Sequence, residues 1–113
     1  MSDNKLGDFI KDLRSKRSLG LRETAARIGK SATYLSKIES GIELSPTEEV
    51  IRQLATVLDG NFDEMMRLAG RLPADITEAI RSDPGMPAFL RRARNESFTS
   101  EELMKVLDEK KKK

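Results

Sequence analysis

Four small or polar side chains recur at helical spacing in the first half of the chain. They stand at positions i, i+1, i+4 and i+5, which share one face of a helix: Ala32, Thr33, Ser36 and Lys37. Such a face can approach base edges in the major groove of double-stranded DNA, because it is narrow and carries hydrogen-bonding groups. An ordinary solvated helix surface is the alternative interpretation of these positions.

Two residue types that dominate enzyme chemistry are missing from all 113 residues. The chain contains no His and no Cys, which excludes Ser-His and Cys-His catalytic pairs and thiolate metal sites. It also has no glycine-rich phosphate loop. We therefore expect a protein that is not an enzyme and that uses neither a metal nor a cofactor.

Positive charge is concentrated in the N-terminal third. Residues 1–41 contain nine Lys or Arg against five Asp or Glu, a net charge of +4, whereas residues 42–69 contain two against six, a net charge of −4. Residues 70–113 contribute +2 and end in four lysines. The asymmetry favours a polyanionic partner for the first third, and ordinary scatter of surface charge is the alternative.

Apolar periodicity and two glycines divide the first third into helices. The predicted helices cover three ranges: 6–17, 21–28 and 32–40. Gly29 and Gly41 are expected to end the second and third helices, because glycine adopts the left-handed conformation that follows many helices. Two short helices joined by a tight turn have the dimensions of a helix-turn-helix, with the polar face on its second helix.

The start of that helix and the nearby cations predict contacts with DNA phosphates. Ser31 is the expected N-cap, and the helix dipole with its free N–H groups favours a phosphate at this end. Cations of the same segment extend the prediction: Lys16, Arg17, Arg22 and Lys30. Ordinary surface charge is again the alternative.

Two capping signals predict the helices that complete the first domain. Ser45 is expected to cap a fourth helix, with Pro46 at its first position and Glu48 completing a capping box. Asn61 repeats the signal for a fifth helix. We assign residues 1–70 to a DNA-binding domain of five helices.

Residues 71–113 form a second, shorter helical module in this interpretation. Helices are expected over 73–82 and 86–95, and Thr99 with Glu102 forms a capping box before a last helix. No segment shows the alternation of a strand, so the predicted fold class is all-α.

The most specific motif of the chain is Tyr34-Leu35-Ser36-Lys37-Ile38-Glu39, followed by Gly41. With this motif, residues 6–69 resemble the Cro and phage-repressor type of helix-turn-helix domain, also called the xenobiotic-response-element family of bacterial regulators. The resemblance implies a five-helix, lambda-repressor-like domain with its recognition helix at 32–40. It also implies a transcriptional repressor that binds a pseudo-palindromic operator as a dimer.

The resemblance assigns roles to individual side chains. Tyr34 matches a position near the DNA backbone, and Arg14 matches an arginine that pairs with the glutamate closing the recognition helix, here Glu39. Base-contacting positions of the family fall on three of the residues introduced above: Ala32, Thr33 and Lys37. We expect the Arg14–Glu39 pair to be structural, because removing one partner of a buried ion pair costs about 3–5 kcal/mol.

The chain departs from the family pattern at three places. Gly20 and Leu21 stand where many relatives have a polar cap and a DNA-contacting glutamine, so that contact is lost. Thr24 stands where leucine is usual. The loop after the recognition helix, often basic in relatives, is Ile42-Glu43-Leu44, which does not favour phosphate contacts.

Seven apolar residues of the C-terminal module have no place in the predicted core: Phe89, Leu90, Phe98, Leu103, Met104, Val106 and Leu107. A short module cannot easily enclose seven such side chains, so we predict a homodimer interface there. The alternative is a protein partner, in an antitoxin or in the regulator half of a regulator–protease pair. No apolar run approaches the length of about 18 residues that a membrane span needs, so we expect a cytoplasmic protein without a membrane partner.

Overall fold

The computed structural model describes residues 5–42 and 45–111, so Glu43 and Leu44 of the unusual loop lie outside the described residues. Over these ranges no strand occurs, and the all-α fold class is confirmed. The described residues form eight helices: α1 (Lys5–Lys16), α2 (Leu21–Arg27), α3 (Ala32–Glu39), α4 (Glu48–Leu58), α5 (Phe62–Leu68), α6 (Ala74–Ser82), α7 (Met86–Asn95) and α8 (Ser100–Lys111).

The chain divides into two compact units, residues 1–73 and residues 74–113. The first unit contains α1 to α5 and encloses a hydrophobic core. The second contains α6 to α8, and none of its described residues is buried. So short a segment has too much surface for its volume to enclose a core, which leaves its apolar side chains accessible.

The core of the first unit lies where α1, α3, α4 and α5 meet, and α2 packs on α3 and α4. Its largest side chains include five that are fully buried: Ile10, Leu35, Ile51, Leu54 and Met65. Burying such a side chain contributes up to about 1.5–3 kcal/mol. The core therefore holds α3 firmly by its inner side.

The start of α4 differs from the prediction. Thr47, and not Ser45, is the N-cap, because its hydroxyl accepts a hydrogen bond from the backbone N–H of Val50 at 3.3 Å. Pro46 lies outside the helix and is fully buried. Because the cap lies two residues later than predicted, Glu48 becomes the first helical residue instead of completing a capping box.

Gly29 and Gly41 follow α2 and α3 in the left-handed conformation, with φ of +70° and +84°. After α2 the N–H of Gly29 donates to the carbonyl of Ala26 at 3.1 Å, and the N–H of Lys30 donates to the carbonyl of Ala25 at 2.9 Å. These two bonds satisfy the last carbonyls of α2 in a Schellman motif. The chain therefore turns tightly into α3.

Candidate DNA-binding surface

An open groove of about 620 Å³ lies between the start of α2 and the exposed side of α3. Residues of one helix face form its α3 wall: Ala32, Thr33, Ser36, Lys37 and Ser40. The start of α2 forms the opposite wall: Gly20, Leu21, Arg22 and Glu23. Ile42 lines the groove beyond the end of α3. The four predicted base-contact residues are thus brought together on one accessible surface.

The opposite side of α3 anchors the helix. Leu35 and Ile38 are fully buried in the core, whereas Thr33, Ser36 and Lys37 lie along the groove and are exposed. A side chain on a rigid, packed helix loses less conformational freedom on binding than one on a mobile loop. The outer face of α3 is therefore preorganised for contact.

An ion pair with little solvent exposure joins the C-terminal end of α3 to α1. Arg14 Nε donates to Glu39 Oε2 at 2.6 Å, Nη2 donates to Oε1 at 2.9 Å, and Nη1 donates to the carbonyl of Leu19 at 3.0 Å. The two side chains are only 17% and 6% exposed. The hydrogen bonds to Glu39 raise the pKa of Arg14 above its usual range, although burial acts in the opposite direction. This bidentate contact fixes the position of α3 relative to α1.

Three predicted phosphate-contact residues cluster at the N-terminal end of α3. The Ser31 hydroxyl accepts a hydrogen bond from the backbone N–H of Tyr34 at 3.0 Å. The Lys30 ammonium lies 5.5 Å from the centre of the Tyr34 ring. Arg22 lies across the groove, on the α2 wall. This end of α3 carries the positive end of the helix dipole, and the dipole and the cations together give it a positive potential.

The two remaining predicted phosphate contacts, Lys16 and Arg17, lie at the end of α1 and directly after it, outside this cluster. Lys16 is the last residue of α1 and is exposed, but it does not line the groove. Arg17 Nε donates to the carbonyl of Leu58 at 2.8 Å, and Nη2 lies 3.2 Å from the Asp59 carboxylate. Arg17 therefore satisfies the C-terminal end of α4, a structural contact that the sequence prediction did not include.

Five residues of the groove were not among the predicted contacts: Gly20, Leu21, Glu23, Ser40 and Ile42. Glu23 lines the α2 wall and accepts a hydrogen bond from Arg27 Nη2 at 2.7 Å, one helical turn away. Ile42 is 73% exposed. The only signal for Ile42 in the sequence was an apolar residue in a loop that is often basic.

The departures in α2 have local structural explanations. Thr24 is fully buried, and its hydroxyl donates to the carbonyl of Gly20 at 2.9 Å, so the polar group is satisfied inside the helix. Leu21 is half-buried, packs against the core and lines the groove. The start of α2 therefore carries an apolar side chain at the position where many relatives have a glutamine.

The second unit has an apolar groove of about 570 Å³ between α7 and α8. Five of the seven predicted interface residues line it: Phe89, Phe98, Leu103, Val106 and Leu107. Leu90 and Met104 are exposed but do not line it. Arg92 and Glu96 form an ion pair within the groove wall, with Nε and Oε2 2.5 Å apart.

The described residues contain no group of three or more His, Cys, Asp or Glu side chains that could hold a metal ion. None of their helices is long and apolar enough to cross a membrane.

A family model described as a helix-turn-helix domain matches residues 5–68. The chain is 34% identical over 76 residues to the uncharacterized HTH-type transcriptional regulator RghRB of Bacillus subtilis, covering 65% of this chain and 55% of that protein. It is 32% identical over 75 residues to an uncharacterized HTH-type transcriptional regulator of Mycobacterium tuberculosis, covering 66% of this chain and 53% of that protein. The chain thus spans about half the length of the curated relatives it matches.

One solved structure with a similar fold is a complex of the SinR and SinI proteins. The superposition has a TM-score of 0.52 and covers 94% of both chains at 23% sequence identity. At this level of identity the similarity establishes the fold.

Proposed function

This chain belongs to the helix-turn-helix family of transcriptional regulators, and we propose that it represses transcription by binding a pseudo-palindromic operator in double-stranded DNA as a dimer. The groove between α2 and α3 carries the proposal, because one rigid face of α3 presents Thr33, Ser36 and Lys37 to it. Hydrogen-bonding side chains on such a helix meet the requirement for direct readout of base edges. Where such an operator overlaps a promoter, the bound dimer excludes the polymerase sterically, and DNA binding alone then represses transcription.

Phosphate contacts position a protein on DNA, and base contacts give it specificity. We assign positioning to the cluster at the start of α3, formed by Lys30, Ser31 and Tyr34. Three cations outside the cluster complete the proposed set: Arg22, Lys16 and Arg17, whose side chain is still 42% exposed beside α4. The cluster is supported by the Ser31 cap and by the ammonium of Lys30 beside the Tyr34 ring. The net charge of +4 over residues 1–41 adds long-range attraction to the same polyanion.

Removing a phosphate-contacting lysine is expected to weaken binding to every duplex by the same factor, because phosphates carry no sequence information. For Lys16→Ala and Lys30→Ala, we expect the plot of log affinity against log salt concentration to become less steep, with the magnitude of its negative slope reduced by about 1. Titration of a selected duplex and a scrambled duplex across salt concentrations measures both effects.

Lys11→Ala is the matched control for Lys16→Ala. Lys11 lies on the same helix and is exposed, but it is about 140° away around the helix axis. We expect its salt slope to equal that of the wild type. A wild-type affinity that does not change with salt would contradict the electrostatic part of the proposal.

Base-contacting residues should behave differently from phosphate-contacting ones. Thr33→Ala and Lys37→Ala should retain the fold, because neither side chain is part of the buried core. Each should lose roughly 1–3 kcal/mol of binding free energy, concentrated at one or two base pairs of each half-site. Competition among duplexes that carry single base-pair changes measures this pattern.

Thr56→Ala is the control for Thr33→Ala. Thr56 is exposed on α4, away from the groove lining, and its hydroxyl donates to the carbonyl of Arg52 at 3.0 Å. It should leave affinity and base preference unchanged. If Thr33→Ala and Lys37→Ala lose the same factor on all sequences, these residues contact phosphates and not bases.

We assign dimerisation to the apolar groove between α7 and α8. A recognition helix covers only a few base pairs, and a two-fold dimer places two such helices about 34 Å apart, on successive turns of the same DNA face. The second unit supports this role because its apolar side chains line a groove and none of its described residues is buried. Pairing with a second copy would remove those side chains from water.

A different protein partner on the same groove is the second candidate. The solved structure with the similar fold holds two proteins, SinR and SinI, in one complex. For this chain the corresponding hypothesis is an antitoxin, or the regulator half of a regulator–protease pair, with the second unit holding the partner. The oligomeric state of the isolated chain separates the two candidates, since only the first requires a homodimer.

A further inference from the structure

Ile42 is an apolar side chain without apolar cover. It is 73% exposed, and among the described residues of the first unit the other exposed large apolar side chain is Leu72, at 60%. By contrast, isoleucines within the helices of that unit, such as Ile38 and Ile51, are fully buried. Covering an exposed isoleucine with an apolar surface lowers the free energy, because it removes apolar area from water.

The end of α3 places Ile42 on the surface proposed to face DNA. The N–H of Gly41 donates to the carbonyl of Ile38 at 3.2 Å, and Gly41 has a φ of +84°, so the chain turns sharply there. Ile42 consequently lines the same groove as Lys37 and Ser40. Two further apolar side chains, Leu21 and Ala32, line this groove.

Base edges in the major groove offer one apolar group, the C5 methyl of thymine, among hydrogen-bond donors and acceptors. A phosphate has no apolar surface to offer. We propose that Ile42 packs against the C5 methyl of a thymine in the half-site and thereby selects an A·T pair at that position. The inference rests on the proposed function and adds a specificity-determining residue outside the recognition helix.

Replacing single thymines by deoxyuridine tests the contact, because deoxyuridine pairs identically and lacks only the C5 methyl. A duplex selected from a random pool by the full wild-type chain is resynthesised with one replacement at a time. For the wild type, we expect replacement of one particular thymine of each half-site to lower the affinity for the duplex about fourfold. This is the contribution of one methyl-sized group buried against Ile42. In Ile42→Ser that position should show no loss, while losses at other thymines should remain.

Leu72→Ser is the matched control, since it removes an exposed aliphatic side chain of the same unit that does not line the groove. It should keep the wild-type deoxyuridine profile, and thermal melting should show both variants folded. An Ile42→Ser profile identical to that of the wild type, or a wild type insensitive to every replacement, would overturn the inference alone. Failure of the wild type to enrich any duplex would contradict the proposed function, and the inference with it.

Discussion

Glu39→Ala is expected to lower the free energy of unfolding of the first unit by about 3–5 kcal/mol. The substitution leaves the Arg14 side chain, 17% exposed, without the carboxylate that accepts two of its hydrogen bonds. A loss of this size is comparable with the whole stability of a domain of this length. Urea denaturation followed by circular dichroism measures it.

Two further variants separate the buried pair from ordinary surface charge. Glu23→Ala breaks the Glu23–Arg27 pair, whose side chains are about half exposed, and it should change stability by less than about 0.5 kcal/mol. Arg14→Met combined with Glu39→Leu should recover much of the loss, since neither charge is then left unpaired. A loss below about 1 kcal/mol for Glu39→Ala would show that the pair is not structural.

Val106→Asp in the full chain is expected to abolish the homodimer and to weaken operator binding by a factor of roughly 10²–10⁴. The aspartate would place an unpaired charge in the apolar groove between α7 and α8, where burying it is costly. Without the dimer, the second recognition helix no longer binds at the high effective concentration that linkage provides. Sedimentation equilibrium and duplex titration measure the two effects.

Lys105→Asp controls for the introduced charge. Lys105 neighbours Val106 on α8, is exposed and does not line the groove, so that variant should remain dimeric. A truncated chain ending at Pro73 retains the buried proline of the first unit and should be monomeric. If it is dimeric, the interface lies in the first unit, and the groove of the second unit is better explained as a site for a different protein.

Local signals in the sequence were sufficient to place α3 and its outer face. Ser31 and Gly41 act within one turn of the helix ends, and the apolar spacing of Leu35 and Ile38 determines the buried side. Such interactions span three or four residues, so they can be predicted without knowledge of the tertiary structure.

Contacts between distant residues account for what the sequence analysis missed. Ser45 was the predicted N-cap of α4, whereas Thr47 caps the helix and the preceding Pro46 is buried. Arg17 was grouped with the phosphate contacts, yet its guanidinium binds the carbonyl of Leu58, 41 residues away. The Arg17 contact cannot be inferred from spacing, because it depends on how α1 and α4 pack.

The position of Ile42 also depends on contacts that the sequence pattern does not reveal. As a loop residue it fits no helical pattern, and only the turn at Gly41 and the position of α2 bring it to the groove. Its place on the proposed DNA-binding surface therefore became visible only in the folded chain.

Chemical-shift mapping of the backbone amides on addition of a selected duplex shows directly which surface of the first unit contacts DNA. If the groove between α2 and α3 faces DNA, the largest changes should fall on Arg22, Thr33, Ser36 and Lys37. The acidic surface of α4 and α5, which carries Glu49 and Asp63, should show little change. Largest changes on that acidic surface, or no change in α3 at saturating duplex, would show that the groove between α2 and α3 does not bind DNA.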